Sequence, residues 1–402
     1  MSKQLLGAST NANGMYTAGG TENANLAGSA YSANAFGTAT QYISSDGVIS
    51  SLKVWLDGGA GGGRAVTWTL YLNGAPTLLS TTITDPAVSN SDVTHNITVA
   101  PGDAVYVLVT AAGGATTRYG GYSMIFTPTV ANNFIIPGWC QCNNGRTTYG
   151  VPWAYCVGGY AGNQEAVRMP CAGTIDRLYV GLNSAPAGGT GYIYHIQKAL
   201  GNTAITCSII GPASTASDLV NSVHFNQGDL IGIKAELSAG PASKDCGWGV
   251  RFIPDTPGQF PIFGNPSGQP DTAAVRYTSF EFSDCQATEI RHGCWQAGFW
   301  YSNLYVRLDT TTGAGKSYTF LLRQNTGDTQ MTCTITNGQD NSDLTHSGQT
   351  ADFVPVDMKI TPSGGPAGTY VYYSMMGNVT SPTAGGKGSS NIARKLLESG
   401  II

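Results

Sequence analysis

Charge is what this chain has least of. Asp, Glu, Lys and Arg make up 11% of its 402 residues, and the net charge is −4; an ordinary globular domain carries roughly 25%. So neutral a surface offers no basic footprint for phosphates, which excludes nucleic acid as a partner. No apolar run approaches the ~18 residues of a membrane-spanning helix, so no membrane contact is expected. Met1-Ser-Lys-Gln-Leu-Leu-Gly7 has one basic residue and no apolar stretch of signal-peptide length, so synthesis in the cytoplasm without an export signal is the expectation. Helical periodicity is missing from every long window. Histidine is sparse, and His95, His195, His224, His292 and His346 share no column of the repeat described below. No Gly-x-Ser-x-Gly elbow accompanies them, and no Gly-Lys-Ser or Gly-Lys-Thr ends a P-loop spacing. No catalytic residue, cofactor or metal is therefore expected. What the chain has in quantity is glycine, 54 of 402 residues where about 7% is usual, together with Ser, Thr, Asn and Tyr. Such a polar, uncharged surface suits packing against like subunits or wet contact with sugars, because few charges need desolvation.

That composition is organised as one unit written three times. Leu52, Val54, Leu56 returns as Leu178, Val180, Leu182 and as Leu304, Val306, Leu308, with both steps 126 residues long (178 − 52 and 304 − 178). Val66, Trp68, Leu70 becomes Tyr192, Tyr194, Ile196 and then Tyr318, Phe320, Leu322, and Ile83, Ile209 and Ile335 keep the same stride. A unit this long is a domain, since solenoid and propeller repeats run to roughly 20–50 residues. Each triplet has the period of two that marks a half-buried strand. Val105, Val107, Val109 answers to Ile231, Ile233, Ala235 and, with a three-residue deletion, to Val354, Val356, Met358. Tyr122, Met124, Phe126 answers likewise to Trp248, Val250, Phe252 and to Val371, Tyr373, Met375. Short strands broken by Gly, Pro, Asn and Ser predict an all-β chain of three tandem antiparallel β-sandwiches. These are jelly-roll-like, with an immunoglobulin-like topology equally open. The boundaries fall at 1–131, 132–256 and 257–380, with a linker and tail over 381–402. Residues 9–38 read as a long loop or arm, in which no strand pattern lasts. Gly-rich connections at Gly58–Arg64, Ser184–Gly189 and Thr310–Gly315 supply the positive φ of tight turns.

What repeats is a core, so chemistry belongs to what does not repeat. Asp92, Asp218 and Asp343, and Asp103 and Asp229 with Asp352 at the corresponding place, are triplicated and read as turn-holding carboxylates rather than calcium ligands or a glycosidase pair. Glu165, Glu281 and Glu289 are not triplicated, but no spacing pairs them as hydrolase acids. Cys207 and Cys333 share one strand position and read as core thiols. Cys140, Cys142, Cys156, Cys171, Cys246, Cys285 and Cys294 lie mostly outside the repeated frame. Cys140-x-Cys142 with Cys156 and Cys171 has the makings of a four-cysteine zinc site, yet its first pair is closer than the usual two-to-four residue gap. Disulfides Cys156–Cys171 and Cys285–Cys294, at corresponding places before the Leu-x-Val-x-Leu strand, stand against free thiols with neither preferred.

Leu178-Tyr-Val-Gly-Leu182, Thr206-Cys-Ser-Ile209 and Gly228-Asp-Leu-Ile-Gly-Ile-Lys234, on tandem Gly- and Thr-rich β-domains, resemble virion structural proteins of tailed bacteriophages: capsid decoration proteins, head fibres and tail-associated proteins. The resemblance implies a non-enzymatic virion component, made in the host cytoplasm and carried on the particle. Its partners would be copies of itself and other virion proteins. The alternative is a receptor- or glycan-binding adhesin on a phage tail or spike, with host surface glycan stacked on Trp139, Trp153, Tyr155, Tyr160, Trp295 and Trp300; filler beneath a long loop is their other reading. The tail after Ser381–Ser390 carries Asn391 as an N-cap and an apolar stripe at helical spacing, so a short C-terminal helix is expected. Docking to a neighbour through Ile392, Leu396, Leu397, Ile401 and Ile402 is one reading, and a frayed end the other.

Overall fold

The computed structural model describes residues 2–9, 20–29, 40–116, 118–153, 155–156, 165–264, 268–280, 285–289, 293–295, 298–350 and 354–378. Every regular element among them is a strand. The first copy runs β1 (Gln4–Ser9), β2 (Thr21–Ala24), β3 (Gly28–Ser29), β4 (Gln41–Tyr42), β5 (Gly47–Leu56), β6 (Ala65–Leu72), β7 (Ala75–Thr84), β8 (Ser89–Val99), β9 (Ala104–Ala111) and β10 (Gly120–Pro128). They form one sheet ordered β3-β1-β10-β5-β8 and another ordered β2-β9-β6-β7, with β4 also on β9. Setting aside the two-residue strands β3 and β4, the first and last strands lie side by side in one sheet and the chain crosses between sheets at nearly every turn. That is the eight-strand double Greek key of a jelly roll, which decides between the two topologies the sequence left open.

The second copy runs β11 (Phe134–Cys142), β12 (Thr148–Gly150), β13 (Tyr155–Cys156), β14 (Val167–Arg168), β15 (Gly173–Leu182), β16 (Gly191–Lys198), β17 (Gly201–Ile210), β18 (Thr215–Phe225), β19 (Leu230–Ser238) and β20 (Lys244–Pro254). The third runs β21 (Gln259–Gly264), β22 (Arg276–Thr278), β23 (Gly293–Trp295), β24 (Trp300–Leu308), β25 (Ser317–Gln324), β26 (Gly327–Thr336), β27 (Asp340–Gln349), β28 (Val354–Ser363) and β29 (Val371–Asn378). Their sheets are β13-β11-β20-β15-β18 with β12-β19-β16-β17, and β21-β29-β24-β27 with β22-β28-β25-β26; β14 adds to β19, and β23 to β28.

The alternation read from the sequence is the alternation of burial. Leu52, Val54, Leu178, Val180, Leu304, Val306 and Leu308 are buried to 1% exposure or less, as are Trp68, Leu70, Tyr192, Tyr194, Ile196, Tyr318, Phe320 and Leu322 from the facing sheet. Each such side chain contributes about 1.5–3 kcal/mol of transfer free energy, so the two inner faces account for most of what holds a copy together. The leading strand has a bulge opposite β8, β18 or β27 in each copy. Ser51, Arg177 and Asn303 sit there at φ of 57°, 53° and 56°. The Gly-rich connection to the next strand takes positive φ at Gly61, Gly62, Gly63, Gly189, Gly313 and Gly315, as expected.

Four expectations are corrected. Val54, Val180 and Val306 pair with Tyr122, Trp248 and Tyr373, so the third-copy counterpart of Tyr122, Met124, Phe126 is Tyr373, Met375, Gly377. Trp68, Tyr194 and Phe320 pair with Val109, Ala235 and Ile360, which makes Val356, Met358, Ile360 the counterpart of Val105, Val107, Val109. The deletion is one residue, and a slip of two passed unseen because a strand pattern looks the same after two residues. With the register restored, His95 and His346 do share a column, three residues after Asp92 and Asp343. Lastly, the stretch read as an arm contains β2 and β3: Glu22 and Asn23 are buried there, held by backbone pairing with β9 rather than by an apolar pattern. The expected C-terminal helix and docking residues Ile392, Leu396, Leu397, Ile401 and Ile402 lie outside the described residues.

Candidate functional site

The candidate carboxylates are committed to turns. Asp92 accepts from Thr94 N at 3.1 Å, His95 N at 3.2 Å and, across the sandwich, Ser80 N at 3.1 Å. Asp218 and Asp343 do the same with Val220, Asn221 and Thr206, and with Thr345, His346 and Thr332. His95 and His346 meet those carboxylates through Nδ1 at 2.8 Å, and Asn221 takes the place in the second copy. Burial opposes the charge of all three carboxylates, but these hydrogen bonds outweigh it and hold them below the usual carboxylate range. Asp103 and Asp229 accept from Ala100 N and Asn226 N at 2.7 Å. Glu289 is ion-paired to Arg323; Glu281 and Asp352 lie outside the described residues. The turn reading therefore holds wherever the structure describes it.

The aromatic residues considered for glycan contact fare differently. Trp139 and Trp153 are 1% exposed and have no face for a sugar. Trp153 lies edge-on to Phe263 of the third copy at 6.5 Å, and a methyl group on Gly28 of the first copy would fall 2.1 Å from Trp153 O. It is a wedge between copies. Trp300 is half-buried at the start of β24. The side chains of Tyr155 and Trp295, and Tyr160 altogether, lie outside the described residues.

Cysteines are regrouped by the fold. Cys207 and Cys333 are buried in matching strands, where burial first and then Asp218 or Asp343 push each thiol up to about 12. Cys171 is a free buried thiol, so of the two readings for Cys156 and Cys171 the free thiol holds and the bridge is not made. The ladder instead places the backbone of Cys156 beside that of Cys140. Sγ of Cys285 donates weakly to Gly268 O at 3.7 Å; the Cys294 side chain is outside the described residues. Cys140 and Cys142 meet Cys246, with Sγ atoms all within 4.8 Å of one another. Hydrogen bonds to its neighbours, with burial, push Cys140 up, and burial pushes Cys246 up. Burial opposes the Cys142 anion too, but donation from Cys140, Cys246 and Tyr194 holds Cys142 down.

The largest feature the sequence did not reveal is how the copies meet. The short strand before each leading strand occupies one structural position: Gln41, Val167 and Gly293 pair with the equivalent residues Val105, Ile231 and Val356. Each of these strands packs on the next copy. β4 lies on β20, β11 and β15; β14 lies on β24 and β29; β23 lies on β10 and β1. The third copy thus returns to the first, and the chain closes into a ring with approximate three-fold symmetry.

The receiving patch is the same place in each copy but carries different residues. In the second copy it is paved with glycine: a methyl on Gly181, Gly247 or Gly249 would fall 1.9 Å from Tyr42 Oη, 1.8 Å from Thr40 O and 1.9 Å from Tyr42 O. Backbone can lie on backbone there only because Cβ is missing. The equivalent positions of the third copy are Arg307, Tyr372 and Ser374. Arg307 Nη1 donates to Ala166 O at 3.0 Å and Ser374 Oγ donates to Arg168 O, while Arg168 Nε meets Asp340 at 2.8 Å. In the first copy they are Trp55, Gly121 and Ser123. Contact continues through the N-terminal strands, where buried Gln4 donates Nε2 to Ile135 O at 2.6 Å and accepts from Ile135 N at 3.0 Å. Phe134 and Phe260, both equivalents of Gln4, stack tilted at 5.7 Å.

At the opposite edge of the same sheets, β8, β18 and β27 expose an apolar residue directly after the turn aspartate. Val93, Leu219 and Leu344 are 60%, 56% and 50% exposed, and Val220 beside Leu219 is 91% exposed. A single exposed apolar residue is ordinary, but here one recurs at the same position in all three copies. No protein-family model matches this chain, and no curated protein compared with it is similar to it.

Proposed function

We propose that this chain is a non-enzymatic structural component of a virion, of the capsid-decoration, head-fibre or tail-associated kind, acting through assembly. The observation that carries the reading is ring closure: each copy gives one strand to the next copy's patch, so a single chain does what a trimer of jelly rolls does with three. Jelly rolls serve repeatedly as capsid building blocks, and fusing three of them fixes a trimeric shape at a stoichiometry of one chain. Divergent patches add to it. Glycine paving accepts backbone, whereas Arg307 and Ser374 demand carbonyl acceptors, so each strand has one proper seat and the copies join in one order.

The exposed apolar residues of the edge strands support a particle-facing surface. Val93, Leu219 and Leu344 recur at one position of the repeat, exposed on the edge strands β8, β18 and β27, which suits a partner built with matching symmetry. A particle reconstruction should find the chain at a constant copy number on head or tail. Val93→Asp, Leu219→Asp and Leu344→Asp combined should abolish its incorporation with folding intact. Normal incorporation of that variant would remove the edge surface from the account, and absence of the chain from particles would end the virion reading.

A further inference from the structure

The geometry points to a structural zinc site in the second copy, held by the thiolates of Cys140, Cys142 and Cys246. Cys140 and Cys142 stand two apart on β11 and so face the same way, and Cys246 is the direct cross-strand neighbour of Cys140 on β20. All three are buried to 1% exposure or less, with sulfurs within 4.8 Å of one another. Zinc–thiolate bonds of about 2.3 Å at tetrahedral angles put sulfurs about 3.8 Å apart, so the cluster needs to contract by about 1 Å or less to grip one ion.

Two comparisons within the molecule separate this cluster from ordinary core filling. The positions equivalent to Cys246 are Gly120 and Val371, paired with Leu56 and Leu308 as Cys246 is with Leu182. The fold closes there with no thiol at all. The positions equivalent to Tyr194 are Trp68 and Phe320, paired with Thr81 and Cys333 as Tyr194 is with Cys207. A hydroxyl at this place occurs only in the copy that has the thiols, and it lies 3.4 Å from Cys142 Sγ. Tyr192, the next inward tyrosine, donates to Cys142 O at 3.3 Å and Ala242 O at 2.7 Å, fixing the strand that carries two of the sulfurs.

Charge decides the metal. Three thiolates with a divalent ion leave one net negative charge, which the Tyr194 hydroxyl can offset by hydrogen bonding to sulfur. A monovalent copper ion would leave two in a dry core, a far costlier burial. Zinc is also a common ion for thiolate sites, with the fourth position of its tetrahedron left to a water or another donor, and such an ion would tie β11 to β20, two of the strands on which β4 rests.

The full-length chain, purified without oxygen from zinc-supplemented cells, should carry about one zinc per chain by elemental analysis. Cys246→Ser and Cys142→Ser should each lose it, and Cys207→Ser, which alters a buried thiol outside the cluster, should keep it. Chelator should lower the unfolding temperature of the parent chain, since metal binding adds to folding free energy. Cobalt added to the zinc-free parent should give thiolate-to-metal charge-transfer bands and tetrahedral d–d bands that zinc abolishes, a readout that stands even if a variant does not fold. A parent chain without zinc and without cobalt bands overturns the site, as does zinc retained in Cys246→Ser. A Cys140–Cys246 disulfide in the anaerobic material would overturn it equally.

Discussion

The repeated frame of each copy and the segment that opens it obey different rules. The frame, from Leu52 to Phe126 and its counterparts, keeps its residues because they face one another across a sandwich that must close three times. The openings, which hold β1–β4, β11–β14 and β21–β23, diverge almost completely while keeping their places in the fold. They diverge because each meets a different neighbour: Tyr42 lies on glycine, Arg168 lies beside Ser374 and Asp340, and β23 lies on β10. Within one chain, repetition marks what folds a domain, and divergence at a fixed position marks what joins domains.

Breaking the frame should cost most. Trp68→Ala removes a side chain that is 1% exposed, and it should destabilise the first copy by about 3–5 kcal/mol in denaturant titrations. The other two copies should keep their own transitions. Loss of all three at once would mean that the ring, rather than the sandwich, is the folding unit.

Filling the patch should cost less and act elsewhere. Gly247→Ala puts a methyl 1.8 Å from Thr40 O, and it should weaken the seat of β4 by about 1–3 kcal/mol. The expected signature is faster proteolysis between the first and second copies, with little change in the core of either. Cleavage unchanged from the parent would show that β4 does not hold the copies together.

The turn aspartates sharpen the same contrast through pH. Asp92, Asp218 and Asp343 have folded-state values below their unfolded ones. Their contribution is therefore complete above the ordinary carboxylate value of about 3.9 and is lost as pH falls through the lowered values. Acid unfolding should flatten by a similar step when any one of them becomes Asn, because the turn is triplicated. A flattening confined to one copy would mean that the three turns are not equivalent in energy. Smallest of all, Val93→Ser, Leu219→Ser and Leu344→Ser should each change stability by no more than about 0.5 kcal/mol, being exposed.

The frame was legible because strands of fixed length at a fixed stride keep their apolar alternation in step. Legibility failed wherever period two was the only guide. The third copy slipped by two residues past a one-residue deletion, and the shared column of His95 and His346 was lost with it. The thiol cluster was half visible in Cys140-x-Cys142. Its third member, Cys246, arrives on a strand over a hundred residues away, and only the contrast with Gly120 and Val371 at the same register could have singled it out. Trp139 and Trp153 were open to two readings, glycan contact or filler beneath a loop, and both are buried, Trp153 against Gly28 and Phe263 of the other copies. No local pattern announces a surface whose partner is another domain.

Ring closure is the central claim, and small-angle X-ray scattering of the monomeric fraction tests it most directly. A closed three-domain ring should have a radius of gyration near the compact value of about 22 Å for a chain of 402 residues. Three jelly rolls strung in line, with β23 away from β10, should instead give on the order of 30 Å, and that result would contradict the account.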